Sequence, residues 1–91
     1  MTAESAKHMK DIGFKSVTLR NDERAERVTV MRRRCDDGTF EVRVASSEGE
    51  VIVYKGKSRI EGINEYFDCI KRYEDGGFKI TKIYNAEVDA K

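Results

Sequence analysis

The densest run of chemistry-bearing side chains is Arg32-Arg33-Arg34-Cys35, which leads straight into Asp36-Asp37. Guanidinium groups engage carboxylates and phosphates through a planar fork, so three in succession read first as a recognition element. Their charge could also stabilise the Cys35 thiolate, yet a nucleophilic or redox cysteine needs a base or a resolving partner, and the sequence offers neither. Cys69, between Asp68 and Ile70, reads as a packing residue. The two cysteines form no CxxC pair and are expected to be reduced. His8 is the single histidine, in an N-terminal segment with no frame to place partners for a triad or a metal. Asp36-Asp37 and Glu74-Asp75 sit at expected turns, where neighbouring acids are solvated. The glycines punctuate turns and cradle no phosphate. The chain is therefore expected to be no enzyme, with no metal and no cofactor.

A binding site is the better-supported expectation. Arg32, Arg33 and Arg34, with Arg43 on a paired strand, make a basic band, which Lys55, Lys57 and Arg59 would extend towards a helix start. Tyr54, Tyr66 and Tyr73 lie where they could join it. Arginine, tyrosine and methionine are enriched at protein interfaces, and basic residues interleaved with aromatics also suit a single strand of nucleic acid.

Composition limits what can hold these residues. Ninety-one residues make one domain, 1–91. Charged residues are 38% of the chain but Lys+Arg 18 nearly balance Asp+Glu 17, so net charge alone drives no association with polyanions. No apolar run is long enough to span a bilayer and the first residues lack the apolar stretch of a signal peptide, so no membrane role and a cytoplasmic location are expected. Leucine occurs once, at Leu19, valine and isoleucine supply the aliphatic volume, and proline is absent, all of which favours sheet.

The expected fold is a small α+β domain. An antiparallel sheet of four to five strands, mostly a meander, is packed by one main helix over about 59–75. Residues 1–12 read as a short helix (Ala6, Met9 and Ile12 at helical spacing) or a flexible tail, and 85–91 as a tail. Phe14–Arg20 alternates as a half-buried strand. Val28–Cys35, Asp36-Asp37-Gly38 and Thr39–Ala45 form a hairpin, Asp-Gly being a strong turn signal. A three-residue loop sets Val30 opposite Val44 and Arg33 opposite Glu41, and is preferred because it gathers more valine on one face. A two- or four-residue loop would set Met31 opposite Val44 and flip every side chain. The preferred register carries Arg32 and Arg34 to the buried side. Val51–Tyr54 is a further strand. Ser58 and Glu61 fit a capping box, Ile60, Ile63, Phe67 and Ile70 form an apolar stripe beside a narrower ridge of Tyr66, Cys69 and Tyr73, and Phe78–Tyr84 is the last strand. The expected core is Val17, Leu19, Val28, Val30, Phe40, Val42, Val44, Ile60, Ile63, Phe67, Ile70, Phe78 and Ile80.

In scale and element order the chain resembles small accessory proteins of phages and mobile elements, some of which inhibit host nuclease systems. Four strands followed by a helix also resembles the Whirly-like single-strand binders. These outlines carry no site residues. The Arg32–Arg34 run, Arg43 and the lack of catalytic groups lead instead to the expectation of a small non-catalytic binding protein that occupies a surface of a larger protein or nucleoprotein complex, as an inhibitor of a nucleic-acid-processing system would. The alternative is direct binding of single-stranded DNA or RNA through the arginine band and tyrosines. A homodimer is compatible with either.

Overall fold

A computed structural model describes residues 14–85. Both the helix-or-tail expected over 1–12 and residues 86–91 lie outside them. Five strands and one helix follow in the order β1 (Phe14–Asn21), β2 (Glu26–Arg34), β3 (Phe40–Ser46), β4 (Gly49–Gly56), α1 (Arg59–Asp75) and β5 (Lys79–Asn85). All strand pairs are antiparallel, and the sheet order is β4-β3-β2-β1-β5. The first four strands form the expected meander, and β5 returns beside β1, so β4 and β5 are the edges.

The central hairpin takes the three-residue loop. Val30 stands opposite Val44 and Arg33 opposite Glu41. The Cys35 amide donates to the Thr39 carbonyl at 2.7 Å, and the Gly38 amide to the Cys35 carbonyl at 3.1 Å. Gly38 closes the turn at φ 86°, a conformation that a Cβ would strain.

Alternation along the strands then sorts the sheet into two faces. Val17, Leu19, Val28, Val30, Val42 and Val44 lie under α1 and are buried. The helix begins at Ser58, whose hydroxyl accepts from the Glu61 amide at 3.1 Å, the first half of the expected capping box. The Glu61 carboxylate accepts from the Tyr54 hydroxyl at 3.3 Å, which ties the helix start to β4. At the other end the Gly76 and Gly77 amides donate back into the last turn, and Gly77 takes φ 98°. Asn21, buried at the end of β1, donates to the Gly76 carbonyl at 3.5 Å and so fastens β1 to the segment that feeds β5.

The helix packs in a different phase from the expected one. Its buried residues are Gly62, Tyr66, Cys69 and Ile70, with Tyr73 packed alongside; Ile63 is only half-buried. Ile60 is 71% exposed and Phe67 57%, so the stripe that hydropathy suggests is turned to one side. The reason is clearance. A Cβ on Gly62 would lie 3.4 Å from both Phe40 Cβ and the Tyr54 ring, so this turn of the helix sits close on the β3–β4 hairpin. Small residues permit that approach, and Tyr66 fills the space beyond them. Phe40 is correspondingly half-buried and Ile80, on edge strand β5, is exposed.

Candidate nucleic-acid interface

The face of the sheet opposite α1 has no helix among the described residues to cover it. Register places Arg20, Arg27, Arg33, Arg43, Lys55, Lys79 and Lys82 on it, against Glu41 and Glu50. This open face is therefore strongly basic although the whole chain is nearly neutral.

Its charges fall into two zones. On β2, β3 and β4 they cancel. Glu41, 2% exposed, accepts from Arg43 Nε at 2.8 Å and Arg33 Nε at 3.1 Å, and Arg43 also reaches Glu50 at 3.1 Å. The Arg43 hydrogen bond, working against the cost of burial and helped by Arg33, holds the Glu41 carboxyl below its ordinary range. Met31 lies beside this cluster, opposite Arg43.

On β2, β1 and β5 the charges do not cancel. Arg27 stands directly opposite Arg20, and Arg20 directly opposite Lys79. This is a row of three cations across three adjacent strands. The next row is Lys82, Thr18 and Thr29, whose two threonine hydroxyls lie 3.2 Å apart, and the row beyond contains Tyr84 and Ser16. Tyr84 is 46% exposed. A concavity lined by Arg20, Arg27, Thr29, Ser46 and Ser47, among others, opens beside the first row. Arg20 has a carboxylate partner, Asp22, at 3.5 Å, but both side chains are mostly solvent-exposed and such pairs contribute little.

The residues singled out from sequence do not converge. Arg32 and Arg34 pair with Val42 and Phe40 on the helix side, while Arg33, Arg43 and Lys55 are on the open face, so the expected band is divided. Arg32 lies over the Tyr66 ring at 5.3 Å, and its Nε is buried with no hydrogen-bond partner, which makes it part of the packing beneath the helix. Tyr66 is buried. Tyr73 packs edge-on against Phe78 at 5.2 Å, and the Tyr54 hydroxyl is engaged with Ser58 and Glu61. Lys57 and Arg59 flank the helix start beyond the end of β4. Cys35 is half-buried and Cys69 buried, both as free thiols.

The cations of the first row were missed because Arg20, Arg27 and Lys79 come from three separate segments. Only the alternation Leu19/Arg20 and Arg27/Val28 hints that they face away from the core. Among the described residues no cluster of three or more His, Cys, Asp or Glu side chains could hold a metal, and no helix is long and apolar enough to cross a membrane. Compared with known proteins, the chain matches no family model, no curated protein and no solved structure.

Proposed function

We propose that this chain is a non-catalytic binding domain that lays the β5–β1–β2 part of its open face against single-stranded DNA or RNA. The observation that carries the reading is the Lys79–Arg20–Arg27 row. Like charges directly opposite in a sheet cost a few tenths to about 1 kcal/mol per pair, and the exposed Asp22 offsets little of that. Phosphates arriving over the row would turn this repulsion into attraction and release counterions. Lys82 continues the positive charge one row along, Tyr84 offers a ring beyond it, and the hydroxyls of Thr29 and Ser47 add donors for phosphate oxygens. Arg33 and Arg43 are already committed to Glu41 and Glu50, so the contact is placed on the other half of the sheet.

Fluorescence anisotropy with a labelled single-stranded oligonucleotide tests this placement. Combined Arg20→Ala, Arg27→Ala and Lys82→Ala should weaken binding at least about tenfold, given that each removes a phosphate partner. All three are exposed, so the fold should persist. Arg34→Ala, exposed on the helix side, should leave affinity within about twofold of wild type. The reverse pattern overturns the reading.

A protein or nucleoprotein partner is the second reading. Division of the arginine band removes the feature that first suggested it, but a different one supports it: Ile60, Phe67, Ile80 and Ile83 are all substantially exposed.

A further inference from the structure

A helix about 10 Å wide covers roughly half of a five-stranded sheet that spans about 19 Å. The Tyr54–Glu61 hydrogen bond places the start of α1 over β4, and Arg72 and Cys69 line a hollow with Val51 and Val53 of that strand. The flank of α1 bearing Glu61, Glu65 and Arg72 therefore faces the β4 edge. At 100° per residue, Ile60, Ile63 and Phe67 project from the opposite flank, and because the helix runs from β4 at its start to β1 at its end, Phe67 is the one of the three carried furthest towards β1 and β5. There Ile80 and Ile83 of β5 lie on the same side of the sheet, opposite Leu19 and Val17. Ile60 is 71% exposed, Phe67 57%, Ile80 41% and Ile83 69%. Taking roughly 150–250 Å² per large side chain, Phe67, Ile80 and Ile83 leave on the order of 300 Å² of apolar surface in water, the size of the largest patch on a typical monomer, which is often functional.

We propose that this groove and the adjoining β5 edge form a two-fold interface with a second copy of the chain. β5 is self-complementary. A bulge between Lys82 and Ile80 turns both isoleucines to the helix side while Lys79, Lys82 and Tyr84 face the other way. Antiparallel pairing of β5 with its copy that sets Ile80 opposite Ile83 also sets Lys79 opposite Tyr84, so apolar residues meet apolar ones and no lysine meets a lysine. The unpaired backbone of the edge is satisfied at the same time. The apolar area is somewhat over a third of the ~800 Å² that each partner gives to a stable interface of standard size, the rest coming from the β5 backbone and its polar side chains. The β4 edge also exposes Val51, Ile52 and Val53, but Ile52 faces away from the helix and the helix flank beside the two valines carries Glu61, Glu65 and Arg72 in place of apolar residues. Pairing through β5 would also join the basic rows of two open faces, although the proposal stands without the nucleic-acid reading.

The test is sedimentation velocity of the full chain from about 1 to 300 μM. The expected result is a concentration-dependent species of twice the chain mass, whose dissociation constant rises at least about tenfold in Ile83→Lys and in Phe67→Lys, with circular dichroism and melting temperature retained. Ile52→Lys, on the β4 edge, should leave it unchanged. A wild type that is monomeric throughout overturns the proposal, as does a dimer weakened by Ile52→Lys and not by the other two. A dimer that forms only after deletion of residues 1–12 overturns it too, and assigns the groove to the chain's own amino-terminal residues.

Discussion

Glu41 sits on the side of the sheet that α1 does not cover, yet its carboxylate is almost wholly screened from solvent. Arg33 and Arg43 lie over it, and their hydrogen bonds at 3.1 and 2.8 Å replace the water it loses. Because the arginines remain one-third to one-half exposed, removing the carboxylate charge should cost about 1–3 kcal/mol, less than for a fully buried pair. The pH dependence has a definite sign. The folded protein holds the Glu41 carboxyl below its ordinary value of about 4.5. The stabilisation is therefore complete above that value and is lost as pH falls through the lower folded one. Urea unfolding at pH 7 and pH 3 should show a large gap between wild type and Glu41→Gln at the higher pH and a much smaller one at the lower. A gap that widens at pH 3 would mean that the ion cluster destabilises the sheet. Arg32, one position from Arg33 in sequence, has a different role, since it lies over Tyr66 beneath the helix.

At the scale of elements, the helix separates what could be read in advance from what could not. The strands were legible because a period of two is hard to mistake, and the Asp-Gly turn with the valines of β2 and β3 sufficed to select a register. The rotation of α1 was not legible. Ile60, Ile63, Phe67 and Ile70 make the more hydrophobic stripe, but the sheet takes the face with Gly62, Tyr66, Cys69 and Ile70, and the missing side chain at Gly62 lets the helix approach Phe40 and Tyr54. Hydropathy ranks residues by transfer energy, whereas close packing here selects by volume. Adjacent residues on the helix thus have opposite fates. Tyr66→Ala should cost about 3–5 kcal/mol in denaturant unfolding, and Phe67→Ala less than about 1 kcal/mol in the monomer. Equal losses, or a larger loss at Phe67, would contradict the observed packing.

The whole chain is nearly neutral, yet among the described residues most acids lie in turns and on the helix while one face of the sheet collects cations. Of the candidate site, Arg33 and Arg43 were legible as basic sheet residues, whereas Lys55, expected at the break before the helix, belongs to β4. The Lys79–Arg20–Arg27 row was not, because it exists only once β5 returns beside β1 with a bulge that fixes its phase. On the proposed readings the two faces take different partners: phosphates on the open one, and an apolar surface in the groove beside α1. On the proposed reading the open face binds a polyanion electrostatically. Titration of a labelled single-stranded oligonucleotide with the wild-type protein at 25, 50, 100 and 200 mM salt tests it most directly. Three to four neutralised phosphates predict that log affinity falls against log salt with a slope of about −2 to −3. Absence of binding at the lowest salt, or binding that salt does not weaken, would contradict it.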